Sequence, residues 1–442
     1  MTHNKQYKLR WASLFAALTL VASACGSSNS QSADDDTADD ESGGDSTTAS
    51  TNDCEINAGL IVPVTGALAS YAQMSEWVVD NKTSFVNSQG GVAVGDQTCD
   101  LSVEIYDSKS TVAGSSDAAT RAVLDDGVDV ILAQGTPDTT NAPTEVCERE
   151  GVPCITSDTP VEAWLFNPDG TAKEFKNSFH FFFSVPDLVS NHLGMIDSLP
   201  GGFNGKIGYL YPNDADGVVF HQTFDPAFTE KGWEGVDPGR FEQGLPDFSA
   251  IINQFKREEV EVVTGVLAPP DLQNYLQQAS QAGFTPKMYV IDKGTGFPDA
   301  MTAIGEAGSG VLSVNFWSPA FPGTSPNGGW DGQAFVESYE GDSGTQYTPA
   351  GAWEDAMFDV LIDALSRSNS SESQDIVSAL SETDIETIVG PIAFNDQNYS
   401  AQPLGGAQWR FDEGEDLWVK ENVFNEVFPE VSITGDLEIY EG

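Results

Sequence analysis

Six short segments rich in threonine, serine, aspartate and glycine stand directly after apolar, strand-like runs: 63–68, 135–141, 157–160, 212–217, 268–271 and 292–294. Hydroxyl groups and carboxylates in such segments, together with the amide groups that begin a following helix, can hold a small polar molecule by hydrogen bonds. The same residue types also cap helices. The segments are therefore candidates for a binding site, while a capping role stays open for any single side chain.

The motifs of known reaction centres fail when they are tested against the chain. Residues 201–206 resemble a phosphate-binding loop, but the motif is one residue short and Ile207 stands in place of Ser or Thr. Residues 213–217 resemble part of a calcium loop, but Pro212 and Thr223 occupy two of its ligand positions. The chain has no G-x-S-x-G, H-E-x-x-H or C-x-x-C motif and only four histidines. We therefore expect no catalytic residue, no metal site and no cofactor.

The charge of the chain argues against several classes of partner. Its 442 residues include 68 Asp and Glu against 19 Lys and Arg, which gives a net charge of −49. Nucleic acids and anionic membranes attract clusters of Lys and Arg, so we expect neither as a direct partner. At 40% hydrophobic residues the chain can build sizeable cores, which excludes wholesale disorder. An acidic extracellular protein fits this composition, and so does a saline habitat.

The N-terminus carries an export pattern. Lys5, Lys8 and Arg10 precede an apolar run over 11–24, which ends in small residues before Cys25. The pattern predicts a signal peptide over 1–24, because the run is too short to cross a bilayer core of ~30 Å. We expect lipidation of Cys25, with 25–53 as a disordered polar tether, so that the exported protein is a periplasmic or cell-surface lipoprotein. Cleavage without lipidation, which would release the protein, is the alternative.

Four further cysteines are expected to form structural disulfides, because disulfides persist outside the cytoplasm. Cys54 and Cys99 each stand just before a strand-like run, whereas Cys147 and Cys154 flank a short turn. These positions suggest the pairs Cys54–Cys99 and Cys147–Cys154, although four cysteines allow three pairings. Zinc is the competing use, but a C-x6-C spacing without a nearby histidine suits it poorly.

Strand-like and helix-like stretches alternate from residue 55 onward. Predicted strands cover 56–62, 101–106, 128–133, 152–156, 206–211, 260–266 and 288–291, and predicted helices cover 69–89, 113–126, 142–150, 218–231, 248–258 and 272–282. This alternation indicates parallel sheets covered by helices on both faces. Residues 124–135 and 255–266 repeat one order of helix end, acidic turn, strand and glycine, which favours two similar α/β lobes.

The six polar segments follow predicted strands, where open parallel sheets bind their ligands. We therefore expect them to meet at the carboxyl edges of the two sheets. Aromatic residues cluster near the same edges: Tyr71, Trp77, Trp164, Phe181, Phe182, Phe183, Tyr211, Phe316, Trp317 and Trp353. Most are expected in the core, with two or three forming the apolar wall of a pocket.

Several short motifs, taken in order, resemble a known family. They include GLIVPVTG at 59–66, NSQGGV at 87–92, EGVPCITS at 150–157 and GPIAF at 390–394. Their order and spacing resemble those of type I periplasmic binding proteins of the branched-chain amino-acid-binding type, the solute receptors of ABC importers. The resemblance extends over roughly 55–435.

This resemblance implies an α/β fold with two doubly wound parallel-sheet lobes joined by a three-segment hinge. We expect 54–186 and 320–390 in lobe 1, and 187–319 and 391–442 in lobe 2. The chain would then cross between the lobes near 184–190, 313–322 and 388–396.

The resemblance also implies roles for individual residues. By likeness to the family, the loop with Thr136, Asp138, Thr139 and Thr140 would hold a carboxylate. The loop with Ser157 and Thr159 would surround an ammonium group, completed by Asp292 from lobe 2. The full set of expected ligand-binding residues is Thr65, Tyr71, Thr136, Asp138, Thr139, Thr140, Ser157, Thr159, Trp164, Tyr211, Asp214, Asp292 and Lys293.

Three departures from the family pattern bear on the ligand. Asp138 would repel a carboxylate, Lys293 would favour an anionic group in lobe 2, and Trp164 adds bulk. An aromatic or amide-bearing solute is therefore at least as well supported as leucine or valine.

The function implied by the resemblance is capture rather than catalysis. An extracytoplasmic receptor would close on an amino acid, an amide or an aromatic acid and deliver it to an ABC permease in the membrane. We expect a monomer that touches the membrane only through its lipid. Two alternatives stay open: a ligand-sensing subunit of a membrane receptor, and an extracellular hydrolase that uses pairs of its many acids.

Overall fold

The computed structural model describes Asn52 and residues 54–167 and 170–442. The predicted signal peptide, Cys25 and, apart from Asn52, the predicted tether lie outside the described residues. Within the described part, no helix is both long and apolar enough to cross a membrane.

Strands and helices alternate along most of the chain. The strands are β1 (Cys54–Val62), β2 (Val92–Val94), β3 (Gln97–Asp107), β4 (Val130–Gln134), β5 (Cys154–Ser157), β6 (Ser178–Phe183), β7 (Lys206–Leu210), β8 (Glu234–Val236), β9 (Val262–Leu267), β10 (Met288–Lys293), β11 (Leu312–Asn315), β12 (Asp384–Thr387), β13 (Gly390–Ala393), β14 (Tyr399–Gln402), β15 (Gly405–Asp412) and β16 (Leu417–Phe424). The helices are α1 (Ser75–Ser88), α2 (Val112–Leu124), α3 (Pro137–Glu150), α4 (Val161–Leu165), α5 (Val185–Asp197), α6 (Ala215–Glu230), α7 (Ser249–Arg257), α8 (Pro269–Gln281), α9 (Pro298–Ile304), α10 (Gly332–Ser343), α11 (Pro349–Arg367) and α12 (Ser373–Ser381). Short 3-10 turns add 69–72, 294–296 and 305–308.

The first sheet has seven strands in the order β14-β6-β5-β4-β1-β3-β2. All neighbours are parallel except β2 and β3. Alternate residues of its strands enter different cores: Leu60 packs with residues of α1 and α11, whereas Ile61 packs with residues of α2 and α3. Helices therefore cover both faces, as the continuous apolar runs predict.

The second sheet repeats this design, with the order β16-β15-β11-β10-β9-β7-β8. The strands from β11 to β8 run parallel, and β15 and β16 add an antiparallel edge. Val262 packs with residues of α5 and α6 on one face, and Val263 with residues of α7 and α8 on the other. Two doubly wound sheets are thus present, as expected.

Three of the helices begin closer to the preceding strand ends than the sequence predicts. α3 starts at Pro137 rather than 142, α6 at Ala215 rather than 218, and α8 at Pro269 rather than 272. Proline at the first helical position is favoured, because its fixed φ suits a helix and its missing N–H would be unpaired there anyway. Asp138, Thr139 and Thr140 consequently belong to the first turns of α3 and not to a loop.

The two predicted disulfides have different outcomes. Cys54 and Cys99 form a disulfide between paired positions of β1 and β3, as predicted. The predicted Cys147–Cys154 bond is wrong, because both residues are free thiols buried at the end of α3 and the start of β5. Burial raises the pKa of the Cys147 thiol, and the neighbouring Cys154 adds to this. The Cys147 thiol is therefore held in the protonated, unreactive form.

The chain passes between the sheets in three places. It leaves the first sheet after β6, returns between β11 and α10, and leaves again between β14 and β15. The predicted boundary between lobe 1 and lobe 2 at 390/391 is wrong, because Tyr399–Gln402 still pairs in parallel with His180–Phe183 of the first sheet. This pairing joins segments far apart in the sequence, and β14 has no apolar run that would mark it as a strand.

A buried ion cluster lies behind the first sheet. Lys82 of α1 is 1% exposed and lies 2.9 Å from Asp355 and 2.7 Å from Asp359 of α11. Its ammonium also donates to Ser325 Oγ at 2.7 Å. Burial raises the pKa of Asp355 to about 7, although Lys82 opposes the shift. One cation thus compensates two buried carboxylates and ties α1 to α11.

We expect Lys82→Met to lower the free energy of unfolding by about 3–5 kcal/mol, because removing one partner leaves buried charge unpaired. Denaturation with urea measures the loss. The matched control is Arg121→Met, which removes surface ion pairs with Glu104 and Asp126 and should cost less than about 1 kcal/mol. An equal loss in the two variants would contradict a stabilising role for the cluster.

Candidate functional site

A cavity lies where the carboxyl edges of the two sheets meet. It contains about 430 Å³ of empty space, part of it open to solvent. Each half contributes seven lining residues: Tyr71, Thr136, Pro137, Asp158, Pro160, Phe182 and Phe183 from the first, and Asp216, Phe220, Val266, Asp292, Lys293, Val314 and Phe316 from the second. A solute held here would touch both halves at once.

Aromatic contacts join the halves around this cavity. The ring of Phe182, at the end of β6, lies 5.6 Å from the ring of Phe316, just after β11. Tyr71 contacts Phe297 across the same boundary, with ring centroids 4.6 Å apart. Beside them, Ser70 Oγ donates to Asp299 Oδ2 at 2.7 Å. The two sheet edges are therefore in contact, in a closed arrangement.

Asp158 is the principal polar group on the wall of the first half. It follows β5 with a φ of 63°, a conformation that is uncommon outside glycine, and it is 4% exposed. Gln134 Nε2, at the end of β4, donates to Asp158 Oδ2 and also to the Ala350 carbonyl at 2.7 Å. Asp158 Oδ1 is buried without a hydrogen-bond partner among the described residues. Burial raises the pKa of Asp158 to about 8, and the bond from Gln134 offsets only part of this shift.

Lys293 is the basic residue on the wall of the second half. It is the last residue of β10 and has a φ of 73°, and its ammonium lies 2.7 Å from Asp216 and 3.3 Å from Asp214. Burial opposes its charge, but the two carboxylates outweigh burial and raise its pKa above the ordinary value. Asp214 also caps α6 by accepting from the Gly217 amide at 2.8 Å. The positive charge of Lys293 is therefore already compensated within its own half.

Asp292 has partners for both carboxylate oxygens. His192 Nε2 donates to Oδ2 at 2.7 Å, and the Val314 amide donates to Oδ1 at 3.0 Å. The nearby Lys420 ammonium donates to the Val314 carbonyl at 2.9 Å and lies 5.6 Å from the centre of the Phe316 ring. Burial lowers the pKa of Lys420 to about 7, against the opposing influence of Asp292.

The start of α3 forms the rest of the polar wall of the first half. Thr136 lines the cavity, but its backbone amide donates to Thr139 Oγ1 at 3.0 Å. The amides of Thr139 and Thr140 both donate to the Thr136 carbonyl at 2.9 Å. Burial raises the pKa of Asp138, and the nearby charge of Asp214 adds to the shift. The amide groups of this first turn are thus largely used within the helix.

The structure brings four of the thirteen expected site residues to the cavity wall: Tyr71, Thr136, Asp292 and Lys293. Asp138 and Asp214 stand beside it, where each raises the pKa of Asp216. The other expected residues are placed elsewhere. Thr65 donates to Asp107 Oδ2 at 2.6 Å near the surface, and Trp164 is buried between Phe175 and His180. Thr139, Thr140, Ser157, Thr159 and Tyr211 are buried and are not among the lining residues.

Sequence reasoning missed several residues on the wall. Asp158 and Asp216 belong to two of the six polar segments, so their position after a strand was an available indication. Phe182, Phe183 and Phe316 belong to the aromatic cluster near the same edges. Phe220, Val266 and Val314 carry no such indication, because helix and strand residues of this type usually pack in a core.

The raised pKa of Asp158 makes stability depend on pH. An unfolded aspartate loses its proton near its ordinary pKa of 3.8, whereas folded Asp158 keeps it up to about 8, so the folded state binds more protons between these values. This contribution is complete below the lower value and is lost as the pH rises, by at most about 1.4 kcal/mol per pH unit.

We expect Asp158→Asn to flatten the decline of the unfolding free energy between about pH 5 and 8, measured by chemical denaturation. Burial also raises the pKa of Glu354 to about 8, so Glu354 still contributes to the decline in this variant. The control Asp247→Asn alters an exposed carboxylate and should leave the slope unchanged. An unchanged slope in Asp158→Asn would show that this carboxyl group is ionised in the folded protein.

Comparison with known proteins places this architecture in a family. The family model described as periplasmic binding protein matches residues 55–413. A leucine-, isoleucine-, valine-, threonine- and alanine-binding protein of Pseudomonas aeruginosa is 24% identical over 352 residues, which cover 77% of this chain and 86% of that protein.

Solved structures show the same fold. A leucine-binding protein from Thermotoga maritima has a TM-score of 0.69 at 20% identity and covers 84% of this chain and 99% of its own. A solute-binding protein of an ABC transporter from Rhodopseudomonas palustris, in complex with 3,4-dihydroxybenzoic acid, has a TM-score of 0.66 at 18% identity, covering 83% and 96%. The chain belongs to the periplasmic binding proteins, of the type I fold.

Proposed function

We propose that the protein is the extracytoplasmic receptor of an ABC importer, which captures a small polar or amphipathic solute between its two lobes and delivers it to a membrane permease. The observation that carries this proposal is the cavity between the sheet edges, lined equally by both halves. In the relatives named above, the bound molecules are amino acids and an aromatic acid. An amino acid, an amide or an aromatic acid is accordingly the first group of solutes to test.

The mechanism is closure of the two lobes about the three connecting segments. A solute that contacts Thr136 and Asp158 in one lobe and Asp292 in the other gains both sets of contacts only in the closed state. Binding therefore favours closure in proportion to the difference in affinity between the two states. Receptors that must also release their solute typically have dissociation constants near 1 μM, about −8 kcal/mol.

Export and anchoring complete the proposal. The pattern before Cys25 supports removal of 1–24 and attachment of a lipid to that cysteine. A flexible tether over 25–53 would then keep the receptor near the membrane and raise its effective concentration at the permease. The protein acts as a monomer and carries out no reaction on its solute.

Binding can be tested by a thermal-shift screen over amino acids, amides and aromatic acids. The melting temperature should rise with the concentration of a true solute, because the ligand binds only the folded state. For that solute, Thr136→Val and Asp292→Asn should each raise the dissociation constant at least about tenfold, or about 1.4 kcal/mol.

The matched control is Thr302→Val, which removes a hydroxyl group on the exposed face of α9 and should leave affinity unchanged. Denaturation curves establish that each variant is folded. Full affinity in both cavity variants would remove the cavity from the proposed mechanism.

A further inference from the structure

Resting on the proposed function, we propose that the solute is an organic cation, a primary amine with an apolar or aromatic body and no free carboxylate, whose ammonium group donates to Asp158 Oδ1. The proposal joins three features of the cavity: an unpaired buried carboxylate oxygen, a wall with excess negative charge, and a ring of aromatic side chains.

One carboxylate oxygen of Asp158 is left without a partner in the described part of the chain. Asp158 is 4% exposed, Gln134 occupies its Oδ2, and its Oδ1 has no partner among the described residues. Buried polar atoms in folded proteins nearly always have a partner, and one left unpaired is costly. Because Asp158 lines the cavity, a donor carried by the solute is the group placed to satisfy it.

The charges on the wall favour a cation. Asp216 and Asp292 line the cavity as carboxylates, and Asp158 adds a third acid that becomes charged when it gives up its proton. Lys293 is the one basic residue among the lining residues that the structure describes. Its ammonium is already paired with Asp216 at 2.7 Å and Asp214 at 3.3 Å. A solute carboxylate would therefore meet an electrostatic environment that repels it.

The N-terminus of α3, which could otherwise bind a carboxylate, has most of its amide groups already hydrogen-bonded. Pro137 has no amide hydrogen, and the amides of Thr136, Thr139 and Thr140 are used within the first turns of α3. Asp138 adds a carboxylate to the same turn. The favourable interaction of an anion with a helix N-terminus is thus largely cancelled here.

The aromatic side chains suit the body of such a solute. Tyr71, Phe182, Phe183, Phe220 and Phe316 all line the cavity. The faces of such rings attract cations and also bury apolar groups. Lys420 is not among the lining residues, although its ammonium lies 5.6 Å from the centre of the Phe316 ring. Burial lowers the pKa of Lys420 to about 7, so its charge weakens near neutral pH.

The test uses two matched series of probes and isothermal titration calorimetry on the full chain as exported. One series is 2-phenylethylamine, phenylalanine and 3-phenylpropionate, and the other is 3-methylbutylamine, leucine and 4-methylpentanoate. Within each series the body is similar, and only the charged groups change. The expected result is that at least one amine binds ten times more tightly than its amino acid and its acid.

The outcomes separate this inference from the proposed function. If an amino acid or acid binds as tightly as its matched amine, or binds while neither amine does, the cationic solute is excluded and the receptor function stands. If none of the six probes binds, the cationic solute proposed here is overturned. If, in addition, the broader thermal-shift screen finds no solute, the receptor function fails as well.

Substitution of Asp158 tests whether this residue binds the ammonium group of the solute. Asp158→Asn should weaken amine binding at least tenfold, whereas Asp129→Asn should not, because this half-buried carboxylate lies at the opposite end of the same sheet. Amine binding by Asp158→Asn at full strength would overturn the assignment.

Proton release gives a second readout. Together with burial, the charge of Asp158 raises the pKa of Tyr71 and of Glu354. Gln134 donates a hydrogen bond to Asp158, which lowers the pKa of Asp158 against the larger effect of burial. An amine that binds at pH 7 should ionise Asp158 and release a proton, which calorimetry in buffers of different ionisation enthalpy detects. Binding without proton release in the wild type, or equal release in Asp158→Asn, would contradict the assignment.

Discussion

Carboxylates buried where the carboxyl edges of the two sheets meet set the main constraint on this molecule. Closing the two sheet edges removes Asp158, Asp216 and Asp292 from water, which costs free energy unless each finds a partner. Asp216 has Lys293 and Asp292 has His192, whereas Asp158 keeps one oxygen unpaired among the described residues. A closed lobe arrangement without solute therefore carries a cost that an open one would relieve through water. A solute that supplies the missing donor removes this cost and so favours closure, which couples recognition to the shape change that a permease can read.

The position of Asp158 depends on the core of the first lobe. Gln134, at the end of β4, holds one of its oxygens and is itself bonded to the Ala350 carbonyl of α11. Further along, α11 carries the two carboxylates that surround the ammonium of Lys82. A buried ion cluster, a central helix and a strand end are thus connected to the cavity wall by direct contacts. In the second lobe, Lys293 and Asp214 connect the ends of β10 and α6 in a comparable way.

Much of the fold follows from patterns that are local in the sequence. Runs of β-branched residues predict β1, β4 and β9, and their alternation with helices predicts parallel sheets. β6 was not predicted as a strand, because its phenylalanine-rich run has no local feature that separates it from a core segment. β14 was assigned to the wrong lobe, because its place is decided by pairing with β6, distant in the chain.

In the candidate site, too, local sequence patterns predict one part, and the packing of the folded chain decides the rest. The rule that ligands bind beyond strand ends indicated the correct edge of each sheet, and Thr136 and Asp292 lie there. It did not distinguish side chains that face the cavity from those that face the core, so Trp164 was expected on the wall and Asp158 was not. Thr139 and Thr140 were expected to be free for a ligand, but the early start of α3 uses their amides within the helix. Which side of a strand end faces the partner lobe is decided by how the lobes meet, and this is a property of the folded chain.

The central claim is that the two sheet edges close around a solute. Small-angle X-ray scattering of the protein, free and saturated with a solute that stabilises it, tests this claim most directly. The account predicts a smaller radius of gyration in the saturated protein and a return to the larger value when the solute is removed. An identical radius in the two states, with binding demonstrated in the same samples, would contradict it.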